Sequence, residues 1–369
     1  MKTTTQKYKI IISGGGTGGH IYPAIAVAQA LQKKLGEVDL LFVGAEGRME
    51  MEKVPKAGYP IIGLWISGLQ RSLSLKNILF PVKVIHSVIK SLNIIKSYQP
   101  DAVIGFGGYA SGAMVYAATM KKLPTLIHEQ NSFAGITNKI LKNRVNTICV
   151  AYDNMDRFFP ERKIVKTGNP IRQDLIQVEQ YKAQAYTHFK LNPNKKTILI
   201  IGGSLGARTI NESIWNGLDE LKKEDVQLLW QTGKNFTKTT TLNDEQVKAH
   251  TFIYEMNLAY AVADIVISRA GALSIAELAQ VKKPVILVPS PNVAEDHQTK
   301  NALALVERDA AILITDSDAH KSLIPACIAL LKNEAKQVQL KNNIGSFALP
   351  DAADRIVDEL IRVIKDKNY

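Results

Sequence analysis

His20 stands directly after Gly14-Gly15-Gly16-Thr17-Gly18-Gly19, in the stretch KIIISGGGTGGHIYPAIAVAQALQKKL. Glycine lacks a Cβ, so such a loop turns tightly and lets a ligand press against its amide N–H groups. A helix starting behind it adds a partial positive charge. The chemistry expected is a phosphate or diphosphate seat with a titratable imidazole at its mouth, able to take a proton from an alcohol near neutral pH. Two more glycine clusters follow, GFGGYASG at 105–112 and Gly202-Gly203-Ser204-Leu205-Gly206. A serine in the second can donate a hydrogen bond to a phosphate. Ser274-Ile275-Ala276-Glu277 fits a capping box, and the rival reading has Glu277 accepting from a ribose diol.

Other chemistries match some of these residues. Residues 14–19 satisfy G-x-G-x-x-G, with Glu46 as a ribose acid, but a run of glycines matches that pattern easily. A nicotinamide or flavin enzyme needs one such loop where this chain has three. Gly202-Gly203-Ser204-Leu205-Gly206 satisfies G-x-S-x-G with His297 downstream. The nucleophile elbow, however, belongs in the middle of one hydrolase sheet, and here the serine opens a second half. Asp316-Ser317-Asp318 resembles a metal-binding D-x-D pair, yet it sits between a strand and a helix, where a turn and an N-cap account for it. No Cys/His cluster has zinc spacing, so neither a metal ligand nor a cofactor is expected.

The elements that must hold these groups alternate along the chain. The run Ile10-Ile11-Ile12 reads as a buried strand, and a helix follows with Pro23 as its first residue, Ala24, Ala28, Leu31 and Leu35 on one face, and Gly36 as its stop. VDLLFVGAEG is a second strand. Residues 78–96 form an amphipathic helix with Ile85, Val88, Ile89, Leu92 and Ile95 on one face and Lys83, His86 and Lys90 elsewhere. It is expected to pack on a sheet, although such a face also suits a bilayer interface. The uncharged run 102–120 holds four glycines near its start, which favours strand, loop and buried helix over a membrane span. LPTLIH ends in His128-Glu129-Gln130-Asn131, and open α/β sheets bind ligands just past the carboxyl ends of their strands. After a Gly-Asn-Pro break at 166–170, KTILIIGGSLGARTINESIW repeats the opening strand–glycine–helix unit. Two doubly wound parallel-sheet domains facing across a cleft are therefore expected, 1–169 and 170–350, with the amphipathic helix in 351–369 returning to the first.

A chain of 369 residues with 46% hydrophobic and 22% charged side chains has the composition of a soluble α/β protein. Residues 1–169 carry 22 Lys and Arg against 10 Asp and Glu, a net of +12, and the other 200 residues balance at 24 against 24. A basic first half suits a large anionic partner such as a membrane surface, a lipid phosphate or a nucleic acid. Cys149 and Cys327 lie in apolar runs and read as small buried hydrophobes in a reducing compartment. The polar start MKTTTQKYK shows no secretory signal.

Taken together, IISGGGTGGHIYPAIAVA, GFGGYASG, HEQNSFAG, TGNPIR, GGSLGAR, SRAGALSIAEL and EDHQTKNA, in this order from residue 10 to about 302, resemble glycosyltransferase family 28. The resemblance implies a GT-B fold. It also implies transfer of N-acetylglucosamine from UDP-N-acetylglucosamine to a polyprenyl-diphosphate-linked muramoyl-pentapeptide, in peptidoglycan synthesis. Its C-terminal domain would take the nucleotide sugar. Its N-terminal domain would take the lipid acceptor and rest on the anionic cytoplasmic face of the cell membrane, with no nucleic acid involved. By the same resemblance Thr17, Gly18 and Gly19 border the diphosphate region and Asn131 contacts the donor sugar. Arg172 and Ser204 face the donor phosphates or nucleotide, and Ile253 and the segment with Ala272, Leu273 and Glu277 border the uridine. Gln298 hydrogen-bonds the sugar. The family often has a glutamine just before Gln298, where this chain has His297. The implied reaction is inverting and metal-independent, with His20 as base and Tyr109 and Glu129 as weaker candidates. Transfer to another lipid acceptor is the alternative, and a binding protein without turnover is a further one.

Overall fold

The structure, a computed structural model, describes residues 7–68, 79–203, 205–238, 242–293 and 296–366. Ser204, expected at the donor phosphates, and Ile78, expected to begin the amphipathic helix, lie outside these. The chain forms two compact units, Met1–Ile171 with Leu349–Tyr369, and Arg172–Ala348.

Unit 1 comprises β1 (Tyr8–Ser13), α1 (Gly18–Leu35), β2 (Val38–Ala45), α2 (Glu50–Lys56), β3 (Ile61–Leu64), α3 (Phe80–Tyr98), β4 (Ala102–Gly105), α4 (Tyr109–Met120), β5 (Thr125–Glu129), α5 (Ile136–Leu141), β6 (Thr147–Val150) and β7 (Ile164–Lys166). Unit 2 comprises α6 (Lys182–Phe189), β8 (Thr197–Ile201), α7 (Arg208–Asn216), α8 (Leu218–Lys222), β9 (Gln227–Gln231), β10 (Val247–His250), α9 (Met256–Val262), β11 (Ile265–Ser268), α10 (Ala272–Val281), β12 (Val285–Leu287), α11 (His297–Val306), β13 (Ile312–Leu313), α12 (Ala319–Lys332) and α13 (Glu334–Gly345). A last helix, α14 (Ala352–Asp366), belongs to unit 1.

The sheets run β3-β2-β1-β4-β5-β6-β7 and β10-β9-β8-β11-β12-β13, parallel throughout. Their first six positions are the same doubly wound order, and each sheet reverses beside its first strand, at β1/β4 and at β8/β11. That reversal opens a crevice at the carboxyl edge, and the glycine clusters follow the strands that border it.

Parallel strands covered on both faces read as unbroken apolar runs. In β1, Ile10 and Ile12 pack with Val27, Leu31, Ile356 and Leu360 of α1 and α14, while Ile11 faces the other way, towards Met114 and Ala117 of α4. In unit 2, Ile198 and Ile200 of β8 pack with Ile210 and Ile214 of α7 and with Leu323 and Cys327 of α12. Both cysteines are fully buried, as expected. Burial pushes the Cys327 thiol up to about 12 and the Cys149 thiol further.

Three local expectations differ from the structure. First, α1 begins at Gly18, five residues before Pro23, with extended Thr17 as its cap (φ −147°, ψ 156°). The Thr17 carbonyl accepts from the N–H groups of His20 at 3.1 Å and Ile21 at 3.3 Å. Pro23 therefore lies inside the helix and removes the bond to the Gly19 carbonyl. Gly18 and Gly19 become first-turn residues, whose N–H groups have no acceptor within the helix. Second, α10 starts at Ala272 with Gly271 as cap, so Ser274 is already helical and the expected capping box does not form. Third, α3 buries Ser87, Ser91, Ile94 and Ile95, half-buries Val88 and Leu92, and leaves Ile85 and Ile89 more than half exposed, with Val82 beside them. Ser87 also donates to the Trp65 carbonyl at 3.2 Å. The periodicity marked one apolar stripe, but packing against α4 turns the serine side inward and leaves half of the stripe outside. Among the described residues no helix is long and apolar enough to cross a membrane.

Candidate functional site

At the β1/β4 reversal the first glycine loop carries Thr17, Gly18, Gly19 and His20 on consecutive residues. His20 Nδ1 lies 2.7 Å from the Gly15 carbonyl and 3.3 Å from Thr17 Oγ1. A carbonyl oxygen only accepts, so Nδ1 carries the proton and Nε2 is left as the basic nitrogen. The ring lies against the second glycine cluster. A Cβ on Gly107, whose φ is +92°, would come within 3.0 Å of Nε2, so no side chain fits there without moving the imidazole. The Gln130 amide donates to the Phe106 carbonyl at 3.0 Å, which ties the segment carrying Asn131 to this same loop.

The polar run after LPTLI is more deeply placed than its sequence suggests. His128 and Glu129 are the last residues of β5 itself and are buried. His128 Nε2 donates to the Gly168 carbonyl at 2.9 Å, and Nδ1 accepts from Gln130 at 3.1 Å. Burial pushes its pKa down to about 4, against the pull of the Gly168 bond and with help from the nearby His20. Between the usual value of 6.5 and about 4, the unfolded chain binds a proton here that the folded chain refuses. This group therefore makes stability fall as pH drops across that window, by up to about 3 kcal/mol. Urea midpoints measured from pH 7 to pH 4 should show the fall, and His128→Gln should flatten it.

Glu129 accepts from Asn131 N–H at 3.1 Å, Asn131 Nδ2 at 3.3 Å, Gly135 N–H at 2.9 Å and Asn138 Nδ2 at 2.9 Å. It braces the loop and orients Asn131, which leaves it poorly placed to take a substrate proton. Tyr109 is 43% exposed, with its ring edge-on to Phe80. Glu46, the ribose acid of the dinucleotide pattern, is paired with Lys90 at 3.1 Å on the surface.

In unit 2, Ile253 lies in the loop after β10, Ala272 and Leu273 open α10 after β11, and Gln298 lies in the first turn of α11 after β12. All three stretches follow the carboxyl ends of strands of one parallel sheet. The structure brings Arg172 and Glu277 together directly, Nε to Oε1 at 3.8 Å, with Asp174 also 3.8 Å from Nε. These distances are too long for hydrogen bonds. Arg172 Nε and Nη2 are buried and have no hydrogen-bond partner among the described residues. The other Glu277 oxygen accepts from the buried Tyr260 hydroxyl at 3.1 Å. Burial raises the Glu277 pKa, while the Arg172 charge and the Tyr260 bond pull it back. The same burial, with the charge of Glu277 beside it, holds the Tyr260 hydroxyl well above its ordinary value. The result is a pair of buried guanidinium N–H groups without a partner among the described residues, next to an oriented carboxylate of α10. Such a group of residues suits a nucleoside diphosphate, with phosphates on the guanidinium and diol on the carboxylate.

Ile253 is 2% exposed and its N–H donates to Gln231 Oε1 at 2.9 Å, so its amide is committed within the fold. Gln298 Oε1 accepts from Ser290 N–H at 2.9 Å, which orients the side-chain NH₂ as the group left to donate. In the Asp-Ser-Asp segment, Asp316 forms an ion pair with Arg269 and accepts from Thr209 Oγ1 at 2.8 Å, joining the β11 loop to α7. Asp318 occupies the N-cap of α12 without a side-chain cap bond and accepts instead from Thr315 Oγ1 at 2.6 Å.

Sequence reading missed Tyr260 and Glu50. Tyr260 lies in the run LAYAVAD, which reads as plain core. Glu50 is wholly buried beneath the first glycine loop and accepts from Gly16 and Ala45 N–H groups. An acid opening a helix ordinarily reads as a solvated partner of the helix dipole.

Residues 10–150 match the glycosyltransferase family 28 N-terminal domain, and residues 197–356 match the C-terminal domain of the same family. A protein of Cytophaga hutchinsonii, named UDP-N-acetylglucosamine–N-acetylmuramyl-(pentapeptide) pyrophosphoryl-undecaprenol N-acetylglucosamine transferase, is 54% identical over 97% of each chain. The protein of the same name from Flavobacterium psychrophilum is 51% identical over 98% of this chain and 99% of its own. Among solved structures, Acinetobacter baumannii MurG aligns with a TM-score of 0.77 at 28% identity, covering 97% of this chain and 100% of that one. With two Rossmann-like parallel-sheet units, matches to both halves of one family and near full-length relatives at about half identity, the chain belongs to glycosyltransferase family 28.

Proposed function

We propose that this protein transfers N-acetylglucosamine from UDP-N-acetylglucosamine to the C4 hydroxyl of a polyprenyl-diphosphate-linked N-acetylmuramoyl-pentapeptide, with inversion and without a metal ion. The observation that carries the donor side is the Arg172 guanidinium, with buried unmet N–H groups beside the Tyr260-held carboxylate of Glu277. Unit 2 takes the nucleotide sugar. Arg172, Ser204 and the helix N-termini meet the diphosphate, Glu277 takes the ribose diol, Ile253, Ala272 and Leu273 border the uracil, and Gln298 and Asn131 contact the sugar. Unit 1 takes the acceptor at residues 17–20.

The acceptor oxygen forms a bond to the anomeric carbon as the bond from that carbon to the diphosphate oxygen breaks. The acceptor proton goes to His20 Nε2, whose partner nitrogen is already committed to Gly15. UDP departs with the bonding electrons. Negative charge grows on its diphosphate in the transition state, where fixed donors act most strongly because they need no reorganisation. Arg172 supplies a full positive charge and the first-turn amides a partial one, so this chain's own residues can meet the leaving group's charge.

The acceptor is a lipid, and unit 1 has a surface that suits one. Val82, Ile85 and Ile89 of α3 stand outward, and Ile136 and Ile140 of α5 are more than 60% exposed. Both helices pack on α4. Together with the net +12 carried by residues 1–169, these residues favour docking at the anionic cytoplasmic face of the membrane.

The test is turnover of labelled UDP-N-acetylglucosamine with the lipid-linked acceptor in anionic vesicles, with and without EDTA. Transfer should survive EDTA. Ile85→Asp with Ile89→Asp should slow it in vesicles and leave it near wild type with a detergent-dispersed acceptor. Tight donor binding with no transfer would mean a different acceptor, and loss of transfer on chelation would overturn the metal-free route.

A further inference from the structure

Glu50 opens α2 and has no exposed surface. Its Oε1 accepts from Ala45 N–H at 3.0 Å and Gly16 N–H at 3.2 Å, and its Oε2 accepts from the same Gly16 N–H at 3.0 Å. Acceptor atoms facing N–H donors are the arrangement of an ionised carboxylate. A Cβ on Gly15 would lie 2.0 Å from Oε1, so the carboxylate occupies the space where a side chain of the loop would be.

The Gly16 N–H is one end of a peptide group whose other end is the Gly15 carbonyl. That carbonyl accepts the Nδ1 proton of His20 at 2.7 Å. One rigid planar amide thus holds a carboxylate at its N–H and an imidazole at its C=O. Hydrogen bonds in such a chain polarise one another, and an anion at the N–H end shifts electron density to the carbonyl oxygen. The oxygen then holds Nδ1–H more tightly and favours the imidazolium that forms when Nε2 takes a proton.

We propose that Glu50 is a positioning residue for His20, acting through the peptide that joins Gly15 to Gly16, and that it fixes the Nδ1–H tautomer and raises the proton affinity of Nε2. This rests on the reading of His20 as the base. A carboxylate that only anchored α2 to the loop would leave the imidazole's titration unchanged.

Glu50→Gln keeps the volume, removes the charge and turns an NH₂ towards a backbone N–H. In the transfer assay its kcat should fall roughly 10- to 100-fold, the range typical of outer-shell partners. The acidic limb of its kcat/KM profile should move to lower pH, while its KM for UDP-N-acetylglucosamine holds. Glu50→Asp, which keeps the charge, should recover part of the shift. A limb that stays in place, or moves up, overturns the proposal even if kcat falls. Imidazole ¹⁵N NMR separates this from a failure of the base reading. It reports the His20 ionisation in Glu50→Gln whether or not His20→Ala remains active, and a lower pKa than wild type is the expected result. Should Glu50→Gln not fold, the unmutated enzyme decides: the Nδ1–H tautomer with a strongly downfield Gly16 amide proton supports the relay, and the Nε2–H tautomer overturns it.

Discussion

His20→Ala should lower kcat by on the order of 10²–10⁴, the usual contribution of a positioned general base, while the KM for UDP-N-acetylglucosamine stays close to wild type. The split follows from geometry. Nδ1 is tied to Gly15, so Nε2 is the nitrogen that can receive the acceptor proton, and the groups proposed to hold the donor's nucleotide belong to the other unit. Removing a group that acts mainly in the transition state lowers kcat and kcat/KM together. Steady-state rates at saturating donor and acceptor check this. A kcat near wild type would remove His20 from the chemistry and leave Tyr109 as the exposed candidate, since Glu129 is occupied by its loop donors.

Arg172→Ala should cut kcat/KM by on the order of 10²–10³, as the loss of one fixed donor to developing charge typically does. UDP affinity should fall with it, while uridine affinity changes little, because the proposal puts the phosphates on the guanidinium and the ribose on Glu277. Arg172→Lys should recover only part, since a point charge cannot replace a planar fork of N–H groups. Calorimetric titration with UDP and with uridine is the measurement. Equal losses for both would place Arg172 on the nucleoside instead. Loss of the cation also leaves the Glu277 carboxylate beside Tyr260 without its nearest positive charge, so Arg172→Ala carries a stability cost that a melting curve must separate from the binding term.

The doubled sheet was legible because its cause is local. Strands covered on both faces must be apolar throughout, and a glycine cluster after a strand marks a turn at the carboxyl edge. Residues 10–20 and 197–206 show both signs, so topology and the neighbourhood of His20 followed from them. What stayed hidden depends on residues distant in the chain. Pro23 marks a helix start in isolation, yet here the helix extends back through the glycine pair. Ser274 and Glu277 have capping spacing, but the helix starts at Ala272 and leaves Glu277 to Tyr260. His128 and Glu129 looked like residues of a ligand loop and are the buried end of a strand. Glu50 carries no local signal at all, because its role depends on α2 folding back under a loop more than thirty residues earlier in the chain.

The return of α14 to unit 1 sets the order in which the chain can mature on the ribosome. Unit 2 is a continuous segment and can close on itself once it has emerged. Unit 1 begins first but lacks Ile356, Val357, Leu360 and Ile364, which pack over Val27 and Leu31. Until translation passes unit 2, that apolar face has no cover, and a nascent chain of this kind exposes it to chaperones or to other chains for the whole interval. The half assigned to the acceptor is therefore the first made and the last finished.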